Sequence, residues 1–230
     1  QYHFTGGTFL RLVHGIHRFS EDLDFYVQKL KHSDFKTTMA AVSKHLALKG
    51  FEQTVTFDDR DRLHTAIFSF PEVEAHYGIE KSRLRKMPLR IKFEAQVPLW
   101  IIEPEPRLVE GFGLQFLVSC SQVSALVADK IDALFHKDRA RHIYDLLYLL
   151  GKGFPADRTV LEVYGHRNSV SVLLRDVLKR FNAGDLKKMA EDLRPFLFEE
   201  KDVDLILNAP QLFDQVLDQH QDLFGLKADV

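Results

Sequence analysis

The stretch Glu21-Asp22-Leu23-Asp24-Phe25-Tyr26-Val27 predicts one strand with two chemically different faces. Side chains alternate between the faces of a strand, so the leucine, the phenylalanine and the valine can be buried together. Asp22 and Asp24 then lie side by side on the opposite face. Carboxylates held this close repel each other, and Mg²⁺, which prefers carboxylate and phosphate oxygens, is a natural partner. A solvent-exposed edge strand with acids of no function is the alternative.

A glycine turn precedes this strand in the sequence. Gly6, Gly7 and Thr8 stand at the start of the first predicted helix. Glycine lets the backbone approach a ligand closely, and the amide groups at a helix N-terminus attract phosphate. Thirteen residues separate Thr8 from Asp22, which leaves room for a short helix and a return loop. A phosphate-binding turn beside a metal-binding pair is what phosphoryl or nucleotidyl transfer requires, although a Gly-Gly pair alone predicts only a turn.

The strand predicted over residues 89–97 adds a third acid. Glu94 lies on the polar face of this strand, together with Arg90 and Lys92. If the strand neighbours the first one, Glu94 completes a triad of carboxylates. Such a triad can hold two metal ions about 3.5–4 Å apart, one activating an attacking hydroxyl and the other stabilising the leaving pyrophosphate. A solvent-facing glutamate without a role is the alternative.

The second half of the chain places two charged residues, Lys130 and Asp145, inside apolar helical segments. An unpaired buried carboxylate is costly, so Asp145 needs a partner. Lys130 can pack its aliphatic stem while its ammonium reaches a charged group. Two interpretations stay open at this point. The residues form a structural ion pair, or Lys130 binds a triphosphate while Asp145 orients it or contacts substrate.

The order of the predicted elements indicates an α/β (α+β) fold. Strand and helix signals alternate up to residue 120 and are almost wholly helical after it, which predicts a catalytic domain with a mixed sheet at 1–120 and a helical domain at 121–230. The predicted strands are 21–27, 51–57, 62–70, 89–97 and 113–119, with a polar turn at 58–61. The predicted helices are 8–14, 33–50 (capped by Ser33 or Asp34), 121–136, 139–151, 157–165, 168–181, 185–194 and 209–223.

Composition excludes several classes of protein. The 230 residues are 45% hydrophobic and 28% charged, with a net charge of -2, as in an ordinary globular protein. A single cysteine, Cys120, excludes an intrachain disulfide and suits a reducing cytosol. The longest uncharged stretch, 111–128, is interrupted by polar residues and predicts a buried strand and helix, so we expect no membrane span. Because the chain opens at Gln1 without methionine, we expect that native N-terminal residues are missing.

Charge is unevenly distributed along the chain. Residues 81–93 carry six positive side chains and no acid, and residues 195–230 carry two positive side chains and eight acids. The basic segment can neutralise the phosphates of an RNA backbone, and the acidic tail can meet a protein partner. Both segments also fit ordinary solvated faces.

Together these blocks resemble the AbiEii/AbiGii toxin family of nucleotidyltransferases, within the DNA polymerase β-like nucleotidyltransferase superfamily. These toxins belong to abortive-infection and type IV toxin–antitoxin systems. The matching blocks, in the order that the family uses, are FTGGTFLRL (4–12), RFSEDLDF (18–25), IKFE (91–94), KIDAL (130–134) and RHIYDL (141–146). His142 departs from the family, which often has an acid at that position.

The resemblance implies roles for particular residues. Asp22 and Asp24 are the expected ligands of Mg²⁺ (or Mn²⁺), with Glu94 as the third acid, and Gly6, Gly7 and Thr8 form the expected phosphate turn. Lys130 and Asp145 are the later functional pair. Two residues before the aspartates are also candidates for the nucleotide site: Arg18 can contact a phosphate with its planar fork and Ser20 can fix the loop, although both also fit plain loop packing.

The expected activity is metal-dependent transfer of a nucleoside monophosphate from an NTP to an acceptor hydroxyl, with Glu94 or a metal assisting deprotonation. The resemblance suggests RNA as the acceptor, including the 3′ end of tRNA, a cytoplasmic toxin and a cognate antitoxin as partner. Two alternatives remain: a nucleotide-binding module that has lost its chemistry, and a small-molecule nucleotidyltransferase.

Overall fold

The computed structural model describes residues 1–71, 88–111 and 113–224. Its internal contacts divide the chain into two compact units. One unit comprises Gln1–Phe9 with Glu21–Cys120, and the other comprises Leu10–Ser20 with Ser121–Val230. The domain limits 1–120 and 121–230 stay a prediction, and the short segment Leu10–Ser20 groups with the residues of the second unit. Most of the basic segment, residues 81–87, lies outside the described residues.

Within the described residues, the first unit is built on a mixed sheet of seven strands. The strands are β1 His3–Thr5, β2 Leu23–Tyr26, β3 Thr54–Arg60, β4 Leu63–Phe70, β5 Leu89–Gln96, β6 Pro104–Gly111 and β7 Leu114–Ser121. Their order across the sheet is β3-β4-β5-β2-β1-β7-β6. Strand β2 runs antiparallel to β1 and parallel to β5, while β4 runs antiparallel to both β3 and β5. The mixed α/β class predicted from the sequence is confirmed.

Helix α1, Gly6–His14, directly follows β1 in the chain. Helix α2, His32–Leu48, follows β2. Helix α2 covers one sheet face and buries Phe35 and Met39 completely. Phe25 and Phe93 stack on each other with ring centroids 4.5 Å apart, and Phe93 packs against the core around α2. The apolar side chains of the stretch that opens at Glu21 therefore face this core, as the alternation predicts.

Three local predictions are wrong. Helix α2 begins at His32, before the expected caps Ser33 and Asp34. The expected turn at 58–61 is largely strand, because β3 continues to Arg60 and the chain reverses at Asp61, which has a positive φ of 42°. Strand β6 was not predicted, since its two prolines indicate a loop; it lies at a sheet edge, where proline is tolerated.

The second unit is helical in the part of the chain that the structure describes. Its helices are α3 Val123–His136, α4 Ala140–Gly151, α5 Arg158–Val163, α6 Val170–Leu178, α7 Ala183–Leu193, α8 Val203–Leu207, α9 Ala209–Gln219 and α10 Gln221–Phe224. Asp157, Ser169 and Asn182 cap α5, α6 and α7 with side-chain hydrogen bonds. Helix α8 was not predicted. Among the described residues, every helix is too short or too polar to cross a bilayer.

Candidate functional site

Four charged side chains share the polar face of β2 and β5. Asp22 directly precedes β2, Asp24 lies on it, and Lys92 and Glu94 lie on β5. Asp24 and Glu94 are paired in register between these two strands, so their side chains point to the same face. We term Asp22, Asp24, Lys92 and Glu94 the carboxylate face. The strand adjacency that the third acid required is present, while the catalytic roles of these residues stay predictions.

Lys92 connects two of the acids on the carboxylate face. Its Nζ lies 3.0 Å from Asp22 Oδ2 and 3.2 Å from Glu94 Oε1. Burial alone would lower the pKa of Lys92, but the hydrogen bond to Asp22 and the charge of Glu94 outweigh it and raise the pKa. The sequence places Lys92 on this face and in the basic segment expected to meet RNA, but did not predict that it links two of the acids. Lys92 therefore links the residue before β2 to β5 through two of the three carboxylates on the face.

The glycine turn lies directly against the aspartates. Gly6 has a φ of +76°, and a Cβ added there would lie 2.0 Å from Asp24 Oδ2, so only glycine fits without displacing that carboxylate. The hydroxyl of Thr8 donates a hydrogen bond to the carbonyl oxygen of Asp22. The spacing between the turn and the aspartates correctly predicted that they meet.

The side chains at this site fit a divalent cation. Carboxylate oxygens are the hard donors that Mg²⁺ prefers, and three of them share the face. Thr5 lies opposite Asp24 in the antiparallel pair of β1 and β2, and its Oγ1 is buried without a hydrogen-bond partner among the described residues. This unsatisfied hydroxyl beside Asp24 is a further oxygen that a bound cation or its water can use.

The second unit contains a separate cluster of charges that is buried. Asp145 on α4 is fully buried. Arg18 donates two hydrogen bonds to its carboxylate, from Nε to Oδ1 at 2.6 Å and from Nη2 to Oδ2 at 2.7 Å. Lys130 on α3 also donates to Oδ2. Burial would raise the pKa of Asp145, but the charges of Lys130 and Arg18 outweigh it and lower the pKa to about 2. We term these three residues the buried ion cluster.

The loop that carries Arg18 is held by other residues of the second unit. Arg18 Nη1 donates to the carbonyl oxygen of Phe19 at 2.9 Å, and the Phe19 amide donates to Phe196 O at 2.6 Å. The Lys130–Asp145 ion pair, one of the two interpretations left open by the sequence, is present, while the functional roles of both residues stay predictions. Sequence reasoning did not identify Arg18 as the third member of the cluster. The need of a buried carboxylate for cations was the available signal. A phosphate contact by Arg18 and a loop role for Ser20, which is half-buried, stay predictions.

His142 lies three residues before Asp145 on α4 and has no comparable partners. Both ring nitrogens are buried without a hydrogen-bond partner among the described residues. Burial, followed by the positive charge of Lys130, lowers the pKa of His142 to about 3. This imidazole is therefore neutral at physiological pH.

The chain thus combines a mixed sheet, a glycine turn against paired aspartates and a helical second unit. The fold is similar to that of JHP933 from Helicobacter pylori, with a TM-score of 0.54 at 16% identity over 96% of this chain and 85% of that one. It is also similar to MenT4, the nucleotidyltransferase toxin Rv2826c from Mycobacterium tuberculosis H37Rv, with a TM-score of 0.53 at 17% identity over 97% and 78% of the two chains. A search of the curated proteins gave no significant match.

The family model described as "Nucleotidyl transferase AbiEii toxin, Type IV TA system" matches residues 1–219. The chain therefore belongs to the AbiEii nucleotidyltransferase toxin family, as the sequence blocks predicted. Membership makes the chain a toxin nucleotidyltransferase with an NTP as substrate, and a type IV toxin–antitoxin system implies an antitoxin partner.

Proposed function

We propose that this toxin is a divalent-metal-dependent nucleotidyltransferase whose chemistry takes place at the carboxylate face. An acceptor hydroxyl attacks the α-phosphate of an NTP, a new phosphoester bond forms, and the bond to the pyrophosphate breaks. The observation that carries this proposal is the contact of the Gly6 turn with Asp24. It brings a backbone that can bind phosphate against a carboxylate that can bind a cation.

Electrostatics explain why this site would need a cation. Carboxylates at this site repel the negative phosphates of a triphosphate, and a bound cation offsets that repulsion. Asp22, Asp24 and Glu94 would hold Mg²⁺, which supplies charge neutralisation to the polyphosphate when bound.

The chain's own residues supply positioning. The amide groups at the start of α1, which include those of Gly7 and Thr8, point toward a phosphate bound at the helix N-terminus. The Thr8 hydrogen bond holds the backbone of Asp22, and the turn at Gly6 holds the Asp24 carboxylate in place by close contact. Glu94 accepts the proton of the attacking hydroxyl in this proposal. The rate gain then comes from orientation and preset charge.

We further propose RNA, including the 3′ end of tRNA, as the acceptor, and the cytoplasm as the place of reaction. Residues 81–93 carry six positive charges and no acid, which suits an RNA backbone. Arg90, in the described part of this segment, is exposed at the start of β5. The single cysteine is free and buried, as suits a reducing compartment.

The test is label transfer from NTPs to total RNA in Mg²⁺, comparing the wild-type protein with the double variant Asp22→Asn/Asp24→Asn. We expect a loss of at least about a thousandfold, because charge stabilisation by a bound metal contributes several kcal/mol. The control is Asp58→Asn, a matched change at an exposed acid on β3, which should keep full activity. Label transfer that persists in the double variant would refute the assigned site.

Mass spectrometry of the products separates the parts of the proposal. Nucleotides added to RNA 3′ ends support the acceptor. Labelled small molecules with unlabelled RNA would support nucleotidyl transfer at the carboxylate face and would contradict RNA as the acceptor. NTP binding without any turnover in either case would identify a binding module instead.

A further inference from the structure

Two histidines and an aspartate lie close together in the first unit. The proposed nucleotidyl transfer assigns no role to any of the three. His32 is the first residue of α2, Asp59 lies on β3 and His64 lies on β4. Asp59 and His64 are directly opposite each other in the antiparallel register of β3 and β4, so their side chains are neighbours. We term His32, Asp59 and His64 the histidine cluster.

The donor atoms of the histidine cluster converge. One oxygen or nitrogen from each residue lies within 4.8 Å of the other two. His32 Nδ1 contacts Asp59 Oδ2, and His64 Nδ1 contacts Asp59 Oδ1. In a tetrahedral site with bonds of about 2.0–2.2 Å the donors are about 3.3–3.6 Å apart, so small side-chain rotations are enough to bring all three onto one ion.

The surroundings of the cluster hold the donors in place. His64 is only 6% exposed, and its ring packs against Phe35 of α2 with centroids 5.6 Å apart. His32 Nδ1 is buried and makes no regular hydrogen bond with any described residue, although it touches the carboxylate. The side chains of His32 and Asp59 are 35% and 38% exposed. An ion there could therefore be reached by solvent and could keep a water ligand.

The histidine cluster is separate from the carboxylate face. His64 is paired with Ala95 of β5, whereas the next residue, Thr65, is paired with Glu94. Because successive residues of a strand point to opposite faces, the histidine cluster and the carboxylate face lie on opposite faces of the sheet. A metal at one of them is not a metal at the other.

From this geometry we propose that His32, Asp59 and His64 bind a transition-metal ion, with Zn²⁺ as the ion that fits best. Two imidazole nitrogens and one carboxylate oxygen are typical donors for Zn²⁺ with an open fourth position, whereas Mg²⁺ prefers oxygen donors alone. The bound ion ties the start of α2 to the β3–β4 hairpin. It thereby stabilises the sheet face opposite the one where catalysis is proposed.

The experiment is a titration of the full chain with Zn²⁺ by calorimetry in excess Mg²⁺, repeated with Co²⁺ as a visible-absorption probe. We expect one Zn²⁺ per chain and the Co²⁺ absorption typical of a nitrogen- and oxygen-ligated low-symmetry site. His32→Gln should weaken binding by at least about tenfold, since even outer-shell changes cost 10–100-fold. His32 is partly exposed, so this variant tests the site without emptying the core; His64→Gln serves as the second variant.

The matched control is His136→Gln. His136 and His166 both approach one oxygen of Asp132, at 3.4 Å and 2.9 Å, so they form a second histidine–aspartate group in the second unit. Equal weakening by His32→Gln and His136→Gln, or no binding by the wild-type protein, would overturn the proposal. Zn²⁺ should also raise the Tm of the wild-type protein and of Asp22→Asn/Asp24→Asn alike, but not that of His32→Gln. The outcome is therefore independent of whether the proposed nucleotidyl transfer is correct.

Discussion

The carboxylate face and the buried ion cluster combine the same kinds of side chains in opposite proportions. On the carboxylate face one lysine contacts two of the three acids, and the side chains of Asp22, Glu94 and Lys92 are 26%, 25% and 34% exposed. In the buried ion cluster one acid serves two cations, and the exposures of Arg18, Lys130 and Asp145 fall to 4%, 7% and 0%. The first group is partly open to solvent, whereas the second is buried and has its charges matched at close range.

From this difference we infer that the carboxylate face binds ligand and that the buried ion cluster supports the fold. Partly exposed acids can accept a cation at small structural cost, because water screens them until the cation arrives. A fully buried carboxylate held by a bidentate arginine and a lysine cannot exchange partners cheaply, since each loss leaves an uncompensated charge in a low dielectric. We therefore expect substitutions on the carboxylate face to act on activity, and substitutions in the buried ion cluster to act first on stability.

The largest effect on stability is expected for Asp145→Asn. This change leaves Arg18 and Lys130 buried without their counter-charge, which costs about 3–5 kcal/mol, measured as the free energy of unfolding in urea. The matched control is Asp214→Asn, which breaks an exposed pair with Arg175 and should leave the unfolding midpoint unchanged. Equal midpoints for the two variants would contradict the assignment of a supporting role to the cluster.

The next effect concerns the contact between the glycine turn and Asp24. Gly6→Ala places a Cβ 2.0 Å from Asp24 Oδ2, so the carboxylate must move and nucleotidyl transfer should be lost. Gly50→Ala is the control, because Gly50 also has a positive φ, +87°, but a Cβ added there has no described residue within 4 Å. It should cost only the backbone strain, about 1–2 kcal/mol, with activity retained. Similar activity in the two variants would show that the close contact is not needed.

A smaller effect is expected for Lys92→Met, which removes the ammonium between Asp22 and Glu94. A cation then no longer competes with Lys92 for these oxygens, so Mn²⁺ should bind about three- to tenfold more tightly, as measured by electron paramagnetic resonance. Arg60→Met is the control, since Arg60 pairs with an exposed acid on β3. Weaker Mn²⁺ binding in Lys92→Met would show that the lysine organises the site instead of competing for it.

The smallest effect is expected beside the buried ion cluster. His142→Leu removes two buried nitrogens that lack partners, which should stabilise the fold by about 1 kcal/mol at neutral pH. The pKa of His142 is about 3 in the folded chain against 6.5 in its ordinary state, so the unfolded chain takes up the proton first as pH falls. The wild-type protein thus loses stability between pH 6.5 and 3.

Urea unfolding across this pH range measures the difference between wild type and His142→Leu. The advantage of the leucine variant should grow as pH falls through the window. A gap that stays constant between pH 6.5 and 3 would mean that His142 is not held neutral by burial.

Much of the carboxylate face could be predicted from local sequence. The period of two in the stretch at Glu21 places Asp22 and Asp24 together, and the thirteen-residue spacing from Thr8 allows the glycine turn to return beside them. Lys92 as a bridge could not be predicted, since its contact with Asp22 depends on β5 pairing with β2 in one register. Of the two partners of Asp145, only Lys130 could be predicted, because Arg18 lies 127 residues away in the chain.

The histidine cluster shows the same limit. The sequence predicts Asp59 in a turn, and only the continuation of β3 to Arg60 places it opposite His64. A polar run indicates a turn by composition, whereas a hydrogen-bonded neighbouring strand can extend it into a sheet.

The amino-acid sequence alone determined the family blocks, the mixed fold class and the two faces of the strand with Asp22 and Asp24, because these depend on side-chain order over a few residues. Tertiary structure decided which distant charges meet: Lys92 with Asp22, Arg18 with Asp145, and His32 with Asp59. Strand register and helix packing set those distances, and the interaction energy of an ion pair depends steeply on distance and burial.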